Sequence, residues 1–301
     1  MRQVFCMIKH PHAKSRWATR LQRGRNIRRN AFDRIFRHQQ LAKAGKTPYD
    51  TVYSNGLVSL RHYAPQVSAL DSHLPADSNT AKPHRIPLVI IPPLAVNMLI
   101  YDLFPERSLV GYLVEKGFNL YLIDWGKPGL QHTDYDVSTY VKTLMPEFLE
   151  QVRKHSGEQA LSLHGWSLGG AFALIYSALF QDPDIRNLVI LGAPVDTHKS
   201  GYMGEFYQFL HRQAQWIRQN TNLRLQHLPS RYFHVRGMTN TLGFKMTDPI
   251  GNLSGYWQLF TKLADREYVV NNATSSAFLD HMLDYPGGVV GDRQVVTNGC
   301  T

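Results

Sequence analysis

Short apolar runs alternate with longer amphipathic segments through the middle of the chain. Each run is five residues long, as expected of buried strands, and the segments between them repeat apolar residues at three- and four-residue steps. The pattern predicts strands at Pro87–Ile91, Asn119–Ile123, Ala160–His164 and Asn187–Leu191, and helices at Arg107–Lys116, Ser138–His155 (with Ser138 as its cap) and Leu168–Phe180. Strands and helices in this order predict an α/β fold with a mostly parallel sheet covered on both faces.

The segments that flank this core have other patterns. Residues 14–44 have apolar residues at helical spacing among many arginines, and Thr51–Tyr53 and Leu57–Tyr63 alternate as strands around an Asn-Gly turn. Residues 197–285 are rich in aromatic residues and predict a mainly helical cap over the carboxyl edge of the sheet. We therefore expect a basic helical arm (1–46), a core (47–196), and a cap with an irregular tail (197–301).

Composition narrows the classes of function. Apolar residues make up 43% of the chain, which is enough for a sizeable core. Cys6 and Cys300, at opposite ends, form neither a disulfide framework nor a metal-ligand spacing, which favours a reducing cytoplasm. No zinc spacing, dinucleotide fingerprint or phosphate-binding loop stands out, so the sequence predicts no metal site.

The net charge of +10 is unevenly distributed. Residues 1–46 hold 13 Lys or Arg and one acid, whereas the rest of the chain has a net charge of −2. A nearly neutral body does not predict nucleic-acid binding. The basic arm has two interpretations: a solvated helix packed on the body, or an attachment to a lipid or granule surface.

The segment Gly165-Trp166-Ser167-Leu168-Gly169 fits the G-x-S-x-G nucleophile elbow. In that motif the serine lies on a strained turn between a strand and a helix. Glycines two positions to either side, Gly165 and Gly169, allow neighbouring backbones to approach closely. An apolar strand precedes the motif and an apolar helix follows it, so we expect Ser167 to be the nucleophile of an acyl-transfer reaction.

Two backbone N–H groups are expected to stabilise the oxyanion of that reaction. One belongs to Leu168, directly after the nucleophile, and the other to the loop after the first core strand. That loop reads Ile91-Pro92-Pro93-Leu94-Ala95. Because proline has no N–H group, Leu94 or Ala95 is the expected second donor.

The sequence leaves the acid and base of a triad unidentified. Asp196 follows the fourth strand, where some hydrolases place their acid, but His198 is too close to it in sequence to be a convincing base. The remaining candidates have structural interpretations: Asp124 packs in a loop, His164 is buried in its strand, and Asp280 and His281 face solvent.

Residues 45–291 resemble the polyhydroxyalkanoate synthase family, and above all its class III-type catalytic subunits. The likeness rests on residues 103–110 (LFPERSLV), 121–126 (YLIDWG), 192–196 (GAPVD) and 251–260 (GNLSGYWQLF). This resemblance implies an α/β-hydrolase core with a cap and no bound cofactor. It also implies acyl transfer from 3-hydroxyacyl-CoA to a polyester, and a second synthase subunit as partner.

The chain departs from that family in two ways. The family elbow usually holds cysteine, whereas this chain has Ser167. Because a serine ester is harder to break than a thioester, the serine shifts the expectation toward a hydrolase or toward a synthase of lower competence. The family's acid and histidine follow the cap, and no matching strands are recognisable here, so we expect a C-terminally truncated core. Three functions stay open: a synthase-like acyltransferase, a serine esterase or polyester depolymerase, and a catalytically incomplete protein that binds granules or lipid.

Overall fold

A computed structural model describes residues 16–66, 83–195 and 229–296, together with residues 208, 209, 212, 213, 216 and 220. The sequence-predicted candidates Asp196 and His198 lie outside the described residues. The described residues form two compact units. The helical unit lies within Met1–Ala42 and Pro249–Ser275, and the sheet unit lies within Lys43–Asp248 and Ser276–Thr301. The three-part division predicted from sequence stays a prediction.

The sheet unit contains a six-stranded sheet of order β1-β2-β4-β3-β5-β6. Its strands are β1 Asp50–Ser54, β2 Ser59–Tyr63, β3 His84–Ile91, β4 Phe118–Asp124, β5 Leu161–Trp166 and β6 Ile185–Leu191. Strand β3 pairs in parallel with β4 and β5, and β5 pairs in parallel with β6. Strands β1 and β2 form the hairpin predicted around Asn55-Gly56, and β2 joins β4 antiparallel. The prediction of a mostly parallel sheet is confirmed.

Nine described helices accompany this sheet or form the helical unit. They are α1 Arg16–Phe36, α2 His38–Leu41, α3 Leu109–Glu115, α4 Met145–Ser156, α5 Leu168–Phe180, α6 Gly237–Met246, α7 Pro249–Thr261, α8 Arg266–Leu279 and α9 Gly287–Val296. Helices therefore follow β3, β4 and β5, as the alternation of apolar runs and amphipathic segments predicts. None of these described helices is both long and apolar enough to cross a membrane.

The central strands β3 and β4 are apolar on both faces because both of their faces are buried, whereas the edge strand β6 is mostly exposed. On β3, Val89 and Ile91 belong to a cluster with Phe148 and Phe172, from the helices on one face. Leu88 and Ile90, with the opposite orientation, join a second cluster that includes Val110 of α3. Strands that lack a polar face are expected in a sheet covered by helices on both sides.

Two local predictions are wrong. The sequence predicts Ser138 as a helix cap, but Ser138 already has helical dihedrals, and the Asp136 Oδ1 atom instead accepts a hydrogen bond from the Thr139 N–H at 2.6 Å. Aspartate and serine are both good caps, so the position at which the apolar pattern begins does not identify which of the two residues caps the helix. The sequence also predicts an irregular tail, yet residues 287–296 form α9. Its two leading glycines lower helix propensity, whereas the fully buried Val289 anchors the helix.

The helical unit has a small apolar core of its own. Leu41, Val269 and Ala273 are buried together, and Leu259 and Leu263 pack against them. Polar side chains of the helix α1 make hydrogen bonds to residues 263, 266 and 272 of this unit. The helix predicted over residues 14–44 is confirmed within the described residues, where it ends at Phe36 and is followed by the short α2.

Candidate active site

Ser167 occupies the turn between β5 and α5, at the carboxyl edge of the parallel sheet. Its dihedrals are φ 52° and ψ −123°, a left-handed conformation that costs a non-glycine residue about 1–3 kcal/mol. The turn is fixed through the backbone: the Ser167 N–H donates to the Leu191 carbonyl at 2.7 Å, and the Ser167 carbonyl accepts from the Gly170 N–H at 2.9 Å. The serine side chain does not cap the helix, so the hydroxyl is not used to hold the turn.

The two elbow glycines lie where neighbouring backbones leave no room for a side chain. A Cβ atom on Gly165 would lie 2.6 Å from the Gly170 Cα atom. On Gly169 it would lie 2.1 Å from the Ile91 carbonyl oxygen and 2.6 Å from that of Pro92. The first turn of α5 therefore lies directly against the end of β3 and the loop that follows it. This close approach is the physical reason for the glycine spacing of the motif.

The expected oxyanion donors lie on the two segments that this approach brings together. Leu168 is the first residue of α5, where the N–H group has no partner within the helix. Leu94 and Ala95 follow Pro92 in a buried turn, and Ala95 has a positive φ of 66°. The Pro92 carbonyl accepts a buried 2.8 Å hydrogen bond from the Trp125 indole, which fixes the start of this loop.

Two asparagines that sequence reasoning missed anchor the same loop. The Asn97 side chain donates to the His281 carbonyl at 3.0 Å and accepts from the Leu99 N–H at 3.1 Å. The Asn240 side chain donates to the Leu283 carbonyl at 3.2 Å, and the Leu283 N–H donates to the Ala95 carbonyl at 2.9 Å. The positive φ of Ala95 is thus held in place by contacts from residues distant in sequence, which no local motif could reveal.

Asp124, Asp280 and His281, three of the candidates from the sequence, make no described hydrogen bond to Ser167. Across the described part of the chain, no side chain makes a hydrogen bond to the Ser167 hydroxyl. Asp124 ends β4 and pairs with Arg61, which confirms its structural interpretation. Asp280 and His281 are exposed, as predicted, and Asp280 pairs with Lys245 at 2.6 Å.

A partly buried histidine–aspartate pair also escaped sequence reasoning, because its members are 50 residues apart. The Nε2 atom of His234 lies 2.9 Å from the Asp284 Oδ2 atom, and the other Asp284 oxygen accepts from the Gly237 N–H at 2.7 Å. Val235 and Tyr285 exchange two backbone hydrogen bonds beside this pair. The pair thus holds the residues around Leu283, which contact Ala95, and we assign it a structural role.

His164 lies in β5, buried between the register partners Ile90 and Val189, as predicted. Burial lowers the pKa of His164, and a backbone hydrogen bond opposes this effect. Its Nδ1 atom has no hydrogen-bond partner among the described residues. The neutral ring is therefore the form that the folded state favours.

We expect the free energy of unfolding to decrease as the pH falls below about 6.5, the ordinary histidine pKa. In that range the unfolded chain binds a proton at His164 more readily than the folded chain, so stability increases with pH. The measurement is urea denaturation across this pH range. The variant His164→Leu should show a weaker pH dependence than the wild type, and an unchanged dependence would contradict the assignment to His164.

Within the part of the chain that the structure places, no three His, Cys, Asp or Glu side chains form a group that could hold a metal ion. The chemistry visible at the elbow is instead that of a nucleophile beside backbone N–H groups. Such an arrangement can accept an acyl group and stabilise the negative charge that develops on its carbonyl oxygen.

Comparisons with known proteins agree with this geometry. A family model described as the alpha/beta hydrolase fold matches residues 86–282. The poly(3-hydroxyalkanoate) polymerase subunit PhaC of Haloferax mediterranei is 29% identical over 244 residues, which are 81% of this chain and 45% of the relative. The corresponding subunit of a Synechocystis species is 31% identical over 159 residues, or 53% of this chain and 38% of the relative.

These matches confirm the resemblance to polyhydroxyalkanoate synthases, and the chain spans less than half the length of both relatives. Among solved structures, a monoacylglycerol lipase from Paleococcus ferrophilus is similar with a TM-score of 0.32 and 22% identity. That similarity covers 51% of this chain and 55% of the lipase.

Proposed function

Because the chain belongs to the alpha/beta hydrolase fold family, we propose that it is an acyl-transfer protein that uses Ser167 as its nucleophile. The observation that carries the proposal is the strained turn at Ser167, whose left-handed backbone is held by the Leu191 carbonyl and by the first turn of α5. Strain of this kind persists only where the surroundings enforce it, and it concentrates at functional sites.

The proposed substrate is a 3-hydroxyacyl-CoA thioester. This choice is supported by the similarity to poly(3-hydroxyalkanoate) polymerase subunits, whose names state the polymer that they make. The Ser167 oxygen forms a bond to the acyl carbonyl carbon while the carbon–sulfur bond breaks. The hydroxyl proton ends on the CoA thiolate, and the acyl group remains on the serine as an ester. The N–H groups of Leu168 and of Leu94 or Ala95 stabilise the intermediate oxyanion.

Two partners are part of the proposal. A second synthase subunit follows from the resemblance to class III-type subunits. A polyester granule or lipid surface, bound through residues 1–46, is supported by the arginines of α1. Such binding would place the protein on granules in the cytoplasm.

The alternative function is that of a serine esterase or polyester depolymerase, and the observation that favours it is the serine itself. A serine ester transfers its acyl group less readily to another acyl acceptor than a thioester does, so water competes better. Both functions use the same elbow and differ only in what receives the acyl group. A protein that only binds granules or lipid would need neither Ser167 nor the strain around it.

We expect 3-hydroxybutyryl-CoA to release CoA when incubated with the protein, and the acyl product distinguishes the functions. Polymer indicates a synthase, and free 3-hydroxybutyrate indicates a hydrolase. The variant Ser167→Cys should raise the ratio of polymer to free acid, because a thioester exchanges its acyl group more easily. Release of CoA without any dependence on residue 167 would contradict the proposal.

A further inference from the structure

The helix α1 presents most of its large apolar side chains outward, whereas Ile27 is partly buried. Polar contacts join α1 to the helical unit: the Asn30 side chain donates to the Leu263 carbonyl at 2.8 Å, and Asp33 pairs with Arg266 at 2.6 Å. The exposed apolar residues of the helix, each at least 51% exposed, are Trp17, Leu21, Phe32, Ile35 and Phe36. An ordinary surface helix has the opposite arrangement, with its apolar side facing a core.

The outward residues form one stripe along the helix. At 3.6 residues per turn, the five side chains fall within an arc of roughly 100°. Asn30 and Asp33 lie outside that arc, on the side that contacts residues 263–266. The stripe therefore has an apolar patch at each end of α1, and between Leu21 and Phe32 the same arc holds Arg25 and Arg28.

The positive charge of α1 indicates that the stripe binds a negatively charged surface. The helix has seven arginines and a single acid, Asp33, which is buried against Arg266. Arg25 and Arg28 lie within the apolar arc, where long stems can cover apolar surface while the guanidinium reaches phosphate groups. An apolar stripe among arginines is typical of helices that lie in the interface of an anionic membrane.

A second helix of the same unit also exposes a row of apolar side chains. The helix α7 has no charged residue over Pro249–Thr261. Its side chains Ile250, Leu253, Trp257 and Phe260 follow helical spacing and are each at least 72% exposed, whereas Leu259 packs into the core of the unit. Tryptophan is favoured at the boundary between lipid and water, because its ring is apolar and its N–H group is polar.

We propose that the helical unit binds an anionic phospholipid surface, with α1 and α7 both inserted at the interface. This inference rests on the proposed binding of a granule or lipid surface through residues 1–46. It specifies that the surface is anionic phospholipid, and it includes α7 in the binding site. A second copy of the chain fits less well, since a symmetric contact would bring two arginine-rich helices together. A bare polyester surface offers no negative charge to the arginines.

The test is sedimentation of the full chain with phospholipid vesicles. Binding to vesicles that contain phosphatidylglycerol should be at least about tenfold tighter than to pure phosphatidylcholine, and added salt should weaken it. Leu21→Ser and Trp257→Ser should each weaken binding about tenfold, through lost apolar contact with the interface. Arg25→Gln combined with Arg28→Gln should reduce the preference for anionic lipid.

The matched control is Leu130→Ser in the sheet unit, because Leu130 is 62% exposed and Leu21 is 60% exposed. This variant should bind vesicles as the wild type does. Equal binding of all variants, equal binding to neutral vesicles, or a dimer that Leu21→Ser dissociates would each overturn the proposal. Ser167→Ala should still bind vesicles, and Leu21→Ser should still release CoA from soluble substrate, so the lipid proposal and the acyl-transfer proposal can fail separately.

Discussion

Replacement of Ser167 by alanine is expected to lower CoA release from 3-hydroxybutyryl-CoA by about a thousandfold or more. The variant lacks the oxygen that forms the acyl ester, and only binding and oxyanion stabilisation remain to assist the reaction. Because the hydroxyl does not cap α5 and the turn is held by backbone groups, the fold should not depend on the side chain. The measurement pairs a CoA-release assay with thermal denaturation.

The control for this variant is Ser177→Ala, in the same helix. The Ser177 hydroxyl donates to the Ala173 carbonyl at 2.9 Å and lies outside the elbow, so its removal should leave CoA release unchanged. Full activity of Ser167→Ala would show that the elbow is not the acyl-accepting site. An unfolded Ser167→Ala protein would contradict the claim that the backbone alone holds the turn.

The second large effect is expected at Gly169. Alanine at this position places its Cβ atom against the Ile91 and Pro92 carbonyl oxygens, at 2.1 and 2.6 Å, which are backbone atoms of a buried strand end and cannot rotate away. We expect the free energy of unfolding to decrease by about 3 kcal/mol or more. Acyl transfer should be lost as well, since α5 and the loop that carries Leu94 and Ala95 are forced apart. Urea denaturation gives the change in stability.

Gly243 provides the matched control. It lies inside the helix α6, and an added Cβ atom there meets nothing within 4 Å. Gly243→Ala should therefore stabilise the protein by roughly 0.5–1 kcal/mol, as alanine does in a helix interior. If both substitutions had the same small effect, the close approach of α5 to the end of β3 would be contradicted.

The sheet could be predicted well because each of its central strands is recognisable from a short stretch of sequence. Strands buried on both faces are apolar runs, and the helix Leu168–Phe180 begins and ends where its apolar period does. The periodicity of α1 was equally clear, but it indicates only that a stripe exists. Which way the stripe faces depends on Asn30 and Asp33, whose partners lie more than 200 residues away.

The elbow was predictable for the same reason that the strands were. A serine between two glycines, with an apolar strand before it and an apolar helix after it, describes one local turn. The residues that hold the loop with Leu94 and Ala95 in place are not recognisable from any local sequence pattern. Asn97 and Asn240 are ordinary polar residues in sequence, and their roles come from contacts with the carbonyls of His281 and Leu283. The positive φ of Ala95 likewise depends on these distant contacts.

The central claim is that an acyl group is transferred to Ser167, and mass mapping of the protein after reaction with 3-hydroxybutyryl-CoA tests it most directly. The reaction is quenched in acid, the protein is digested, and CoA release is measured in the same sample. We predict a hydroxyacyl ester on the peptide that contains Ser167, absent in Ser167→Ala. Release of CoA with no acyl group on that peptide, or with the acyl group on another residue, would contradict the claim.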